Sequence, residues 1–140
     1  MSIPVLVARL NPRNPPATPA EVEAVERRFG PLPQDYKEFL LLSNGYEGSV
    51  SGLYLALYRT SDVMGYNRDG TALVPERPDM IQIGGDGGGE GYFFDARNPG
   101  PVSMIALVSD WHTDARPAGA SFTDFLANQL EGRSPLGGAS

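Results

Sequence analysis

The sequence predicts an α+β fold: a largely antiparallel or mixed β-sheet flanked by two N-terminal helices and one C-terminal helix. Three observations carry this. Two capped, amphipathic segments open the main body of the chain, short apolar runs separated by glycine- and proline-bearing turns occupy the middle, and a third capped segment lies near the end. No strand–helix–strand alternation occurs, so a doubly wound nucleotide-binding sheet is not expected.

The first eighteen residues read as an extended, proline-rich lead-in. NPRNPPATP at 11–19 excludes helix, and Val5-Leu6-Val7 before it suggests a short strand. The first helix starts at Thr18-Pro19-Ala20-Glu21, where Thr18 can cap, Pro19 fits the first helical position and Glu21 completes a capping box. Val22, Val25 and Phe29 then form one apolar stripe, Glu23, Glu26 and Arg27 face water, and Gly30 ends the helix. After Pro31-Leu32-Pro33 a second helix covers about 34–43. Tyr36, Phe39, Leu40 and Leu42 form its buried side, Leu32 is placed to staple onto Tyr36, and Asn44-Gly45 supplies a left-handed stop.

The pattern then changes. Leu53 to Tyr58 is short and turn-bounded, Asp62 to Asn67 looks like one helical turn, and Thr71 to Asp79 reads as loop. Met80 to Ile83 and Tyr92 to Phe94 read as strands around a glycine-rich turn, and Val102 to Val108 as the next strand after Asn98-Pro99-Gly100. Ser109 to Gly119 reads as a polar loop holding the only Trp and the only His. Ser121-Phe122-Thr123-Asp124 is a second capping box, and Phe122, Phe125, Leu126 and Leu130 make the stripe of the last helix. The expected division is a lead-in at 1–18, one domain at 19–131 and a flexible tail at 132–140.

Composition narrows the function. A chain of 140 residues can bury a core without staples, and the absence of cysteine removes disulfides and thiol chemistry. No apolar run is long enough to span a membrane, and the N-terminus lacks a basic leader, so a cytoplasmic location is expected. The net charge of −6 disfavours direct nucleic-acid binding. Residues 86–131 carry seven acids against Arg97 and Arg116, a net of −5, which would steer a basic partner.

IGGDGGGEGYFFD, residues 83–95, is the stretch that most invites a catalytic reading. It fails each motif with a mechanism. The dinucleotide fingerprint finds Glu90 or Tyr92 where its third glycine belongs, and the phosphate loop spaced by Gly84 and Gly89 finds Glu90 in place of lysine. Calcium loops find Gly88 or Gly89 at positions that need an acid. A hairpin turn remains, with glycine supplying positive φ. Asp110-x-His112-x-Asp114 could present three ligands on one face of a strand, but Pro117 and Gly119 favour an irregular loop and no second histidine accompanies it. His112 also lacks a nucleophile elbow for a triad. No catalytic residue, metal or cofactor is therefore assigned. The acids of the glycine loop leave a hydrolase as a minor alternative.

Phe29-Gly30-x-Leu32-Pro33-x-Asp35-Tyr36-x-x-Phe39-Leu40, followed by Asn44-Gly45, resembles the signature of the SMI1/KNR4 family of the SUKH superfamily. Two later blocks are similar to that family as well: Ile83-Gly84-x-Asp86-Gly87-Gly88-Gly89 leading to Tyr92 and Asp95, then Ala120-Ser121-Phe122-x-x-Phe125-Leu126. The ordered set spans about 20–130. The resemblance implies an α+β fold and a non-catalytic binding protein, since bacterial members are mostly immunity proteins that neutralise a cognate toxin. Fungal members are scaffolds, which makes a scaffold or regulatory domain for a housekeeping partner the alternative. The family provides no catalytic residues to carry over. The partner expected here is a protein, a basic toxin domain. The contact residues expected from charge and loop character are Asp86, Glu90, Asp110 and Asp114, with Trp111 as an anchor that sits either in the core or in the interface.

Overall fold

The computed structural model describes residues 2–67, 79–106 and 115–133. In chain order these form α1 (Ile3–Val7), α2 (Pro19–Phe29), α3 (Gln34–Leu42), β1 (Tyr46–Val50), β2 (Leu53–Leu57), α4 (Thr60–Tyr66), β3 (Met80–Gly85), β4 (Glu90–Asp95), β5 (Val102–Ala106), β6 (Arg116–Gly119) and α5 (Phe122–Leu130). The strands make one antiparallel sheet in the order β1-β2-β3-β4-β5-β6, each pairing with its neighbour in sequence. The α+β class is thus the fold of the chain.

The helix boundaries follow the local chemistry. Thr18 Oγ1 accepts from the Glu21 N–H at 3.2 Å and Glu21 Oε1 accepts from the Thr18 N–H at 2.8 Å, so the capping box is complete. Gly30 ends α2 at φ 102°. α3 stops by extending at Ser43, and the left-handed residue is Gly45 at φ 81°, one position beyond Asn44. Ser121 Oγ accepts from the Asp124 N–H at the start of α5.

Two expectations are corrected. Val5 to Val7 belong to α1, not to a strand. Ile3, Leu6 and Val7 recur at helical spacing and are buried, and Pro4 sits in the first turn where its missing N–H costs nothing. Five residues cannot hold a helix by propensity, so packing of α1 against α3 and α5 decides its form. The prolines that follow do run extended. They are stitched to the end of α3: Ala17 N–H donates to Leu40 O, Asn44 N–H to Pro15 O, and Asn14 N–H to Ser43 Oγ. The first of these bonds satisfies a carbonyl that the C-terminus of α3 leaves unpaired.

The second correction concerns 116–119, expected as loop and found as β6. Pro117 is tolerated because β6 is an edge strand and the register shifts between Val102 and Ser103 beside it. β1 had no strong signal in YEGSV, with its glycine and two polar residues, and forms by pairing with β2. Ser51 and Gly52 join the two strands with φ 51° and 82°, the signs of a type I′ turn. Ser51 Oγ donates to the Leu130 carbonyl, fastening this turn to the C-terminus of α5.

The core lies between the sheet and the helices. Ile81, Ile83, Tyr92, Phe94, Val102 and Met104 face it from β3 to β5. Rings fill its centre: Tyr36 meets Phe94 and Phe122 edge-on at 5.0 and 5.1 Å, and Tyr92 meets Phe125 at 4.7 Å. Met80, Phe93 and Ile105 form a second small cluster on the other face. β2 and β3 pair only through Ala56–Gly85 and Leu57–Gly84. Where they part, the Asn67 amide takes over, accepting from Gln82 N–H and donating to Gln82 O at 2.8 and 2.9 Å. A side chain there replaces a neighbouring strand.

Candidate protein-binding site

The glycine loop is only four residues long, 86–89, because Gly84, Gly85 and Gly91 lie within β3 and β4. Asp86 closes it. Its Oδ1 accepts from Gly88 N–H at 2.8 Å and Glu90 N–H at 3.1 Å, and its own N–H donates to Glu90 O. Gly87 and Gly89 take φ 77° and 126°. The Gly88 and Glu90 N–H groups are thus turned onto an internal carboxylate, whose charge opposes capture of a phosphate.

Glu90 faces the helix side of the sheet, in line with Tyr92, and its carboxylate accepts from Arg116 Nη2 across the strands. Both side chains are mostly buried. Tyr92 lies beside them, and burial pushes its phenol up to about 12, with the Asp86 charge adding to the shift and a hydrogen bond to Gln129 opposing it. Asp95 is bound to Arg97, which also reaches Asp79 at 3.5 Å, and Glu131 is paired with Arg133. Several carboxylates of the acidic run are therefore already engaged within the chain. Asp110, Trp111 and Asp114, like His112, lie outside the described residues. The structure brings Asp86 and Glu90 to one end of the β3–β4 hairpin.

Another surface went unnoticed in the sequence. On β2, Leu53, Leu55 and Leu57 point one way, and Tyr54 and Ala56 point to the opposite face of the sheet. Glu47 of β1 pairs with Ala56 in register, and the Tyr54 hydroxyl donates to Glu47. A cleft of about 300 Å³ opens beside them, lined by Glu47, Ala56, Tyr58, Arg59, Asp62 and Tyr66. The signal available in the sequence was the alternation LYLALY, which sends every second residue, Tyr54, Ala56 and Tyr58, away from the leucines.

Among the described residues no group of three or more His, Asp or Glu side chains is placed to hold a metal, and no helix is long and apolar enough to cross a membrane. The model of the SMI1 / KNR4 family (SUKH-1) matches residues 16–128. No curated protein matches the sequence. The matched region takes in every described strand and α2 to α4 with nearly all of α5, and leaves α1 outside.

Proposed function

Because the chain belongs to the SMI1/KNR4 family (SUKH-1), a family of non-catalytic binding proteins often linked to toxin-immunity systems, we propose that it is an immunity protein that neutralises a cognate bacterial toxin in the cytoplasm. The family match over 16–128 is the observation that carries this reading. The net charge of −6 adds to it, since an acidic protein is drawn to the basic cleft of a toxin that acts on anionic substrates. Neutralisation is occlusion: the immunity protein covers the toxin's working surface and performs no chemistry of its own.

The proposed contact surface starts at the β3–β4 loop with Asp86 and takes in the segment bearing Asp110, Trp111 and Asp114. Glu90 is the weakest of these contacts, since a partner must compete with Arg116 for its carboxylate. The test is co-expression with a toxin domain from the same genome, sought first in the neighbouring reading frames. Growth rescue, with a purified one-to-one complex that abolishes toxin activity, is the expected result. No rescue, together with capture of a housekeeping protein by the purified chain, would overturn the immunity role in favour of a scaffold.

A further inference from the structure

Tyrosines and carboxylates line the cleft between β2 and α4. Tyr58 and Tyr66 lie with ring centroids 4.9 Å apart, and Tyr66 is 48 % exposed. Tyr54, 40 % exposed, continues this aromatic surface beyond Glu47. Glu47 and Asp62 wall the cleft, and among the described residues neither makes an ion pair, unlike Glu90, Asp95 and Glu131. Arg59 is the one cation in the lining. Tyrosine rings beside carboxylates that make no ion pair among the described residues form a face that attracts a cation twice, through the ring quadrupole and through charge. Tyrosine is also the residue type that most often anchors protein interfaces.

The cleft is held in shape. Tyr58 N–H donates to Ile83 O at 2.8 Å, and its hydroxyl accepts from Gln82 Nε2 at 3.2 Å. The Asn44 side chain accepts from Thr60 N–H, fixing the start of α4. On the other side the backbone at Gly87 lies against the Tyr54 ring, where a Cβ would come within 2.6 Å of the ring carbons. The Asp86 loop, Tyr54, Glu47 and the cleft are therefore one continuous surface.

We propose that the Tyr58–Tyr66 cleft, walled by Glu47 and Asp62, is the socket for an arginine or lysine side chain of a basic protein partner. The proposal rests on the binding function above and gives it a place: the partner's cation enters between the rings and the carboxylates, and its neighbouring basic residues meet Tyr54 and Asp86. Docking of a rigid ring pair costs little side-chain entropy, which suits an interface anchor.

The test uses the full chain and a ten-residue arginine peptide, with a glutamate peptide of equal length as control, followed by aromatic-ring NMR. Saturable shifts centred on Tyr54, Tyr58 and Tyr66 are expected, weakening between about 50 and 500 mM salt as screening shortens. Tyr66→Ala should bind about two- to fivefold more weakly and Tyr66→Phe like the parent, as for an exposed cation–ring contact. Glu47→Gln with Asp62→Asn should lose about tenfold, and Glu23→Gln, an exposed α2 residue outside the cleft lining, nothing. Absent binding, shifts spread without focus on these rings, equal loss in Glu23→Gln, or ring shifts that follow the chain's own concentration without peptide would each overturn the socket. Toxin neutralisation that survives in the cleft variants would overturn the socket alone, whereas a chain that binds the peptide through these rings and rescues no toxin would sink only the immunity role.

Discussion

Tyr36 offers a test of the core in which removing a polar atom should strengthen the protein. Its ring is packed edge-on against Phe94 and Phe122, it is 1 % exposed, and its hydroxyl has no hydrogen-bond partner among the described residues. Burial drives the phenol's pKa upward, so the group stays neutral and protonated. An unsatisfied buried donor and acceptor costs about 1–3 kcal/mol of desolvation. Tyr36→Phe removes that cost and keeps every ring contact. The void left by one oxygen, about 15 Å³ at about 24 cal/mol per Å³, returns roughly 0.4 kcal/mol. The net expectation is a gain of about 1–2 kcal/mol, or about 4 °C in Tm per kcal/mol for a domain of this size.

Urea unfolding of the parent and Tyr36→Phe, read by circular dichroism, measures the difference directly. Tyr92→Phe is the matched control, because its hydroxyl is hydrogen-bonded to Gln129. The same chemical deletion there should lower stability by about 1 kcal/mol. The opposite signs are the content of the prediction. A loss of about 1 kcal/mol in Tyr36→Phe as well would show that its hydroxyl is satisfied, and the desolvation reasoning would fail.

Phe39, fully buried against Phe122 at 5.1 Å, should lose about 3–5 kcal/mol on truncation to alanine, and an unchanged midpoint in the same unfolding assay would expel it from the core. Gly52→Ala meets no neighbouring atom and should cost only the strain of φ 82°, about 1–2 kcal/mol, whereas Gly84→Ala would drive a Cβ into the Ala56 carbonyl oxygen and should unfold the chain more readily; equal midpoints would refute the distinction. Glu26 accepts from Leu32 N–H at 3.0 Å and pairs with Lys37 at 3.3 Å, and chiefly the backbone bond holds its carboxyl below the usual range. Its folded pKa is depressed, so its contribution is present above the unfolded value of about 4.5 and fades as pH falls through the folded one; Glu26→Gln should be weaker than the parent at neutral pH and converge with it in acid, checked by melting across pH. ATP, GTP and NAD should show no saturable binding by calorimetry, because the Asp86 carboxylate takes up the Gly88 and Glu90 N–H groups and repels a phosphate; micromolar affinity for any of them would overturn that assignment.

The parts of the fold that were legible in the sequence are those whose signals are local. Thr18, Pro19 and Glu21 announce a helix start that forms as written, and the apolar spacing of Phe122, Phe125, Leu126 and Leu130 gives α5 its buried face. The strands around the glycine loop were equally plain, although β3 and β4 take in glycines that composition alone assigns to the turn. What local chemistry could not supply was tertiary. α1 exists because Ile3, Leu6 and Val7 find α3 and α5, and β6 exists because β5 offers it an edge despite Pro117. The expected site suffered most. Charge counting along the chain cannot know that Glu90 meets Arg116 or that Asp95 meets Arg97, and the cleft joins Glu47 to Tyr66 across a strand and a helix.

The residues through which this chain resembles its family have architectural tasks, and this explains why the motifs reveal a fold sooner than a partner. Asp35 reaches from the first turn of α3 to α5, where one carboxylate oxygen accepts from both Thr123 N–H and Thr123 Oγ1 at 2.8 Å. Asn44 fixes the start of α4, and Gly45 lets the chain pass the Leu57 carbonyl, where a Cβ would stand 2.5 Å away. Asp86 closes its own loop, and Tyr36, Phe39 and Phe122 fill the core. Each of these side chains is engaged inside the domain. Glu47, Tyr54, Asp62 and Tyr66 stand outside the quoted motifs, and none of them is buried in the core. Apart from the contact of Tyr66 with the Tyr58 ring and the place of Asp62 in the first turn of α4, they can therefore change without loosening a cap, a turn or a core ring. The immunity role proposed above would need that separation. Exchanging Tyr66 or Asp62 should alter partner binding while leaving the unfolding free energy within about 1 kcal/mol of the parent, the worth of an exposed ring contact or a first-turn charge. If those exchanges unfold the domain instead, recognition and architecture are not separable here, and the cleft belongs to the scaffold.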